Sequence, residues 1–260
     1  MSYEKIKTTV DNGIATVTLS DPKTLNAAGV DLVRELHAAF EDHAKPDSGA
    51  RCVILTGEGR GFCSGANLTR TPEPGLETSR LVLERVYNPF ISLMRDYPLP
   101  IITAVNGVAA GIGCSMALMG DLIVAAESAY FLQAFRRIGL VPDGGATYLL
   151  ARTAGRARAM ELTLLGDKLP ARTALEWGLI NRCVPDDQLM TTTLELAKAL
   201  AGGPVSLSYT RKMVWEGLDA EWAEQLAVEA KMQDVAAASA DAQEGRLAFV
   251  EKRPAVFTGR

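Results

Sequence analysis

The chain has 260 residues, 48% of them apolar and 22% charged; that balance excludes a disordered, collagen-like or coiled-coil chain and leaves room for one large α/β core with an appendage. The formal net charge of -4 and a pI near 5.4 argue against blanket phosphate-backbone binding, so no nucleic-acid role is expected, although a small basic pocket for one anionic group is not excluded. The four cysteines (Cys52, Cys63, Cys114, Cys183) form no CxxC pair and read as reduced thiols of a cytosolic protein.

The opening MSYEKIKTTV has no apolar stretch of the signal-peptide kind, which points to a cytoplasmic protein. No apolar run reaches the ~18–20 residues of a membrane helix. The best, Pro100 to Gly120, is broken by Asn106 and three glycines.

In chain order, Ile14–Leu19 alternates apolar and threonine residues as a strand does. Ala27–Phe40 places Leu32, Val33, Leu36, Ala39 and Phe40 at helical spacing. Arg51–Thr56 reads as a short strand, followed by the glycine-rich stretch Gly57–Gly65. Ser79–Met94 is an amphipathic helix that Pro98 and Pro100 stop. Ile101–Val105 is a buried strand, Asn106–Gly113 a loop, and Cys114–Met119 a helix. Asp121–Ala126 and Ala129–Phe135 are two more strands, and Gly139–Gly145 is a turn. Ala146–Leu164 is helical with a break near Gly155, and Leu179–Val184 is the last strand. From Asp186 onward the pattern is helical: Gln188–Leu200, Val205–Gly217, Glu221–Ala238 and Ala240–Val250. The division expected is a β/α core over residues 1–200 and a helical region over 201–260. The recurring order of strand, strand, helix suggests a wound core.

Several motifs fail their own tests. The glycines of Gly57–Gly61 and Gly111–Gly113 lack the last glycine of a dinucleotide fingerprint, and no GK[ST] exists. In Gly61-Phe62-Cys63-Ser64-Gly65 the serine stands one place too late for a nucleophile elbow. His37 and His43 lie six apart, a poor helical spacing for shared ligation, so no metal site is expected. Three features remain. The loop ending at Gly65 leaves a strand with backbone N–H groups available; it is otherwise a plain turn. Gly107–Gly113 feeds a helix starting near Ile112, whose first N–H groups lack internal partners and sit at the positive end of the helix dipole; close packing explains the glycines equally well. Asp143, before a helix, is either an N-cap or a base. A cap is hydrogen-bonded as the anion and its pKa falls; a base in an apolar pocket has its pKa raised.

Taken together, Gly61–Leu68, Pro100–Asp121 and Phe131–Gly145 resemble the crotonase, or enoyl-CoA hydratase/isomerase, superfamily. Leu25-Asn26-Ala27, Glu176–Ile180 and Lys252-Arg253-Pro254 with Phe257 match as well, so the likeness spans essentially the whole chain. It implies an α/β fold with a ββα spiral core and a helical C-terminal region, assembled as a homotrimer or as a hexamer of two trimers. It implies an acyl-CoA thioester as substrate, so that coenzyme A arrives with the substrate and no separate cofactor is needed. The thioester carbonyl would lie between the N–H groups of Ala66 and Ile112, carried by the loops of Gly65 and Gly111. The CoA arm would run near Leu25, Asn26, Ala27 and Ser64, with Lys252 and Phe257 of the tail, often a neighbour's, closing over it; plain subunit packing is the alternative.

The resemblance also locates a departure. The two glutamates of hydratases fall on Ser115 and Phe135, and neither side chain is a carboxylate. Asp143 remains, in a stretch most similar to the phenylacetate-pathway isomerases of the superfamily. The expectation is an isomerase in which Asp143 moves a proton, with Phe135, Phe131 and Tyr130 as apolar walls. A hydratase or lyase using another acid, and a silent acyl-CoA-binding protein, are the alternatives.

Overall fold

The computed structural model describes residues 3–69 and 73–260. Two sheets form the core. The larger has the order β1 (Ile6–Asp11), β2 (Ile14–Leu19), β3 (Cys52–Gly57), β5 (Ile101–Val105), β7 (Leu122–Ala126), β10 (Arg182–Val184). All its pairings are parallel except β1 with β2. The smaller has the order β4 (Gly61–Cys63), β6 (Val108–Ala110), β8 (Tyr130–Leu132), β9 (Lys168–Pro170), with β8 and β9 antiparallel.

The connectivity explains the recurring strand, strand, helix pattern. β3, β5 and β7 of the large sheet each continue directly into β4, β6 and β8 of the small one. Each turn of chain therefore contributes one strand to either sheet, which is the spiral that the sequence suggested. β3 and β5 are apolar and buried along almost their whole length, as strands covered on both faces must be.

The helices are α1 (Val30–Ala44), α2 (Ser79–Val82), α3 (Asn88–Arg95), α4 (Ile112–Leu118), α5 (Ala146–Thr153), α6 (Arg156–Leu165), α7 (Ala171–Glu176), α8 (Leu189–Ala201), α9 (Ser206–Gly217), α10 (Trp222–Ala237) and α11 (Ala240–Glu251). A π-helical stretch, Leu83–Tyr87, joins α2 to α3. α4 is buried at every position, because it lies between the two sheets. α8 packs on β3, β5 and β7. α10 buries none of its residues, so it covers little of the core.

Two readings of the sequence need correction, and one strand is added to them. Asn106–Gly113 is not one loop: Val108–Ala110 is a strand paired to β4 and β8. Ala129–Phe135 is a strand only over Tyr130–Leu132; Ala134–Ile138 coils into a 3-10 turn that carries Phe135. The segment before β2 is a strand as well, since Ile6–Asp11 pairs along all of β2.

Candidate active site

Strand register brings the two glycine loops together. Cys63 of β4 pairs with Ala109 of β6 in parallel, so the residues two places further on, Gly65 and Gly111, leave the sheet side by side. A β-carbon built on Gly111 would lie 3.9 Å from the Gly65 Cα. Gly111 has φ 52 and ψ -127, a conformation that is costly for any residue with a side chain. It turns the chain sharply from β6 into α4 and leaves Ile112 at the first helical position.

Both following N–H groups are free of backbone partners among the described residues. Ile112 opens α4, where no internal acceptor exists. Ala66 forms an isolated bridge with Ala28, but that contact is carried by its neighbour: Ala28 N–H donates to the Gly65 carbonyl at 2.7 Å. Two unpaired donors on adjacent loops are an arrangement that can receive one oxygen bearing negative charge.

The Asp143 loop meets α4 as well. Gly144 has φ +58, and a β-carbon there would overlap Ile112 Cδ1 and lie 2.9 Å from Ser115 Cβ. The Asp143 loop therefore rests on the first turn of α4. The carboxyl group is not a helix cap: α5 is preceded by Gly145, with no side-chain cap bond. Its Oδ1 is buried without a hydrogen-bond partner. Burial raises its pKa from 3.8 to about 6. Of the two opposite shifts that separate a cap from a base, this is the one a base would have.

The other expected residues fall as follows. Phe135 is buried, and its ring lies 3.6 Å from a β-carbon built on Gly111, so it walls the site. Phe131 instead belongs to the core, and Tyr130 lies on the other face of β8 with Lys168 Nζ 4.3 Å from its ring centroid. Ser115 is fully buried and faces the Asp143 loop. Leu25, Asn26, Ala27, Ser64 and Gly65 do assemble: Ser64 N–H donates to the Leu25 carbonyl at 2.9 Å and Ser64 Oγ to the Thr24 carbonyl at 2.8 Å. The Asn26 amide is spent inside the fold, on the Glu58 and Gly61 carbonyls; it builds the loop rather than offering a free group.

Lys252 and Phe257 are not brought to Ser64 within this chain. The Phe257 carbonyl accepts from Arg51 Nη1 at 3.1 Å. Arg51 stands at the entry of β3, whereas the loop towards Ser64 leaves from its exit, roughly 20 Å further along for a six-residue strand. Two cations that the sequence reading passed over are better placed. Lys23 and Arg60 are exposed and in no ion pair among the described residues, and Gly59 packs within 3.1 Å of Pro22 when given a β-carbon. Only adjacency in the fold, not spacing in the sequence, unites them.

A groove of about 350 Å³ lined by Asn88, Ile91, Met119, Gly145 and Leu149 adjoins the Asp143 loop through Gly145. A groove of about 520 Å³ shares Tyr148, Leu149 and Trp215 with it and runs on past Asp121 and Arg211. No group of His, Cys, Asp or Glu suited to a metal occurs among the described residues, and none of their helices is long and apolar enough to cross a membrane.

Comparison with known proteins agrees with this architecture. The enoyl-CoA hydratase/isomerase family model matches residues 9–260. A probable enoyl-CoA hydratase of Rhodobacter capsulatus is 42% identical, covering 100% of both chains. The 1,2-epoxyphenylacetyl-CoA isomerase of Escherichia coli is also 42% identical, covering 99% of both. Among solved structures, an enoyl-CoA hydratase subunit from Geobacillus kaustophilus superposes with a TM-score of 0.91 at 31% identity, covering 99% of each chain. A spiral of paired strands that sets two glycine loops against α4, matched over its full length by these relatives, makes the chain a member of the enoyl-CoA hydratase/isomerase family, with its crotonase-type α/β fold.

Proposed function

We propose that the protein is an acyl-CoA isomerase. The Ala66 and Ile112 N–H groups receive the thioester oxygen and stabilise the enolate that forms when a proton leaves the acyl chain. Asp143 takes that proton from one carbon and returns it to another, which moves a double bond or shifts a ring-epoxide to its isomer. Nothing is consumed in this cycle, so a single carboxyl group suffices. The observation that carries the reading is the buried, unpaired carboxyl oxygen of Asp143, a residue whose loop rests on the first turn of α4. With a pKa raised to about 6, Asp143 is ionised at neutral pH yet basic enough to hold a proton in transit.

Water addition lacks its usual acids here. The positions that carry glutamates in hydratases are Ser115 and Phe135. A hydratase reading keeps one specific support, the equal 42% identity to the probable hydratase. The acyl chain would extend into the groove at Ile91, Met119 and Gly145. The CoA phosphates would meet Lys23 and Arg60, and Lys252 and Phe257 could reach them only from another copy. Exposed Trp222, Phe249, Val250 and Val256 on the helical region support assembly into a homotrimer through that region.

The test is a panel of enoyl- and aryl-acyl-CoA thioesters, scored for isomerisation, solvent-deuterium uptake and water addition. Isomerisation with deuterium uptake and little hydration is the expected result. Rapid hydration would favour the hydratase reading, and binding without turnover a silent acyl-CoA-binding protein.

A further inference from the structure

The proton transfer described above leaves Ser115 without a task, yet Ser115 is fully buried at the site. It stands one turn after Ile112 on α4. A helical serine ordinarily bonds back to the carbonyl four residues earlier, but that contact, to Gly111, is 3.5 Å long. The hydroxyl is closer to another element: it donates to the backbone carbonyl of Asp143 at 2.9 Å. Gly144, the next residue, fits against Ile112 and Ser115 only because it has no side chain. The Asp143 carbonyl also accepts from Ala146 N–H at 3.1 Å, a bond within the turn itself, so the Ser115 hydroxyl is what ties that turn to α4, and the carboxyl Oδ1 beyond it has no hydrogen-bond partner. One short helix thus carries both a donor for the thioester oxygen and a tether on the loop of the base.

We propose that Ser115 is a positioning residue: its hydroxyl holds the Asp143 carbonyl to α4 and so sets the reach of the carboxyl group to an acyl chain seated against the Ile112 N–H. This rests on the isomerase reading for its consequence, but not for its geometry. A position that bears a glutamate in hydratases would here serve to aim a carboxylate instead of supplying one.

Ser115→Ala removes the tether, and Ser115→Cys keeps its size with a weaker donor. Thr193→Ala is the control, because it deletes another fully buried hydroxyl, which donates to the Leu189 carbonyl at 2.8 Å within α8. Three quantities are measured on the full chain: kcat and KM for solvent-deuterium exchange into an acyl-CoA, and the titration of the Asp143 carboxyl by carbon-13 NMR without ligand. Ser115→Ala is expected to lower kcat roughly 10- to 100-fold with KM little changed, and Ser115→Cys by less. Burial alone causes the shift of Asp143, so a loosened loop lets water in, and its titration falls from about 6 towards the ordinary carboxylate range. Thr193→Ala should change none of the three. Unaltered kcat and titration in Ser115→Ala, a loss expressed in KM alone, or an equal kcat loss in Thr193→Ala would each overturn the proposal. If the wild-type protein exchanges no proton, the isomerase reading fails, and the titration alone decides whether Ser115 tethers the loop.

Discussion

Asp143 and Asp241 both lose water on folding, and the chain treats them in opposite ways. Asp241, on α11, is 1% exposed. Burial pushes its pKa up, but the N–H groups of Thr258 at 2.7 Å, Val205 at 2.8 Å and Gly259 at 2.9 Å outweigh it, and the net shift is down. Its charge staples the C-terminal tail to the start of α9. Asp143 has the burial without the donors, and its pKa goes up. Asp241 is given partners for its charge and Asp143 is deprived of them, which is the environment that the proposed base requires.

The contrast makes three predictions of decreasing size. Asp241→Asn sets an amide NH₂ against backbone donors and strands them, so stability should fall by about 3 kcal/mol, read as a lower urea midpoint at unchanged slope. A stability within error of wild type would mean that the staple does not bear on folding. Gly144→Ala forces a β-carbon into Ile112 and Ser115 at φ +58; strain of this kind is worth about 1–3 kcal/mol, and deuterium exchange should fall by at least tenfold as the loop lifts from α4. Retained exchange would show that the Asp143 loop need not rest on that helix.

The smallest effect has an unusual sign. A carboxyl whose pKa is raised on folding binds more protons in the native state than in the unfolded one between 3.8 and about 6. Stability is therefore lost as pH rises through that window, and the full cost is present above it. Asp143→Asn removes the cost and should stabilise the protein at neutral pH by about 1–2 kcal/mol, less than the whole shift because the group is partly exposed. The gain should vanish below the ordinary carboxylate value. Melting curves at neutral and acid pH measure it, and equal gains at both would refute the linkage.

How much of this was legible in the sequence depends on length scale. The apolar strands Ile101–Val105 and Asp121–Ala126 were readable because burial on both faces leaves an unbroken run. β6 and β9 were not, since three residues are too few to show a period, and Gly107 and Gly111 around β6 look like loop chemistry. Phe135 ends an apolar run that reads as a strand, but Gly139, in the left-handed region, closes a 3-10 turn there. The ambiguity at Asp143 was local: residues just before a helix look alike whether they cap it or not. What resolved it lies in three dimensions, in Gly145 at the cap position and α4 beneath the loop. The likeness to the family supplied Ala66 and Ile112 as a pair. Their adjacency has its own cause in the parallel register of Cys63 with Ala109.

The most direct test is solvent-deuterium uptake into a bound acyl-CoA by the wild-type protein and by Asp143→Asn, followed across pH. The wild type should exchange with a rate that rises through about pH 6, where Asp143 ionises, and then levels off. The variant should bind the thioester nearly as well and lose exchange by roughly 10²- to 10⁴-fold. Exchange persisting in the variant at the wild-type rate would contradict the account, because the proton would then be carried by some other group.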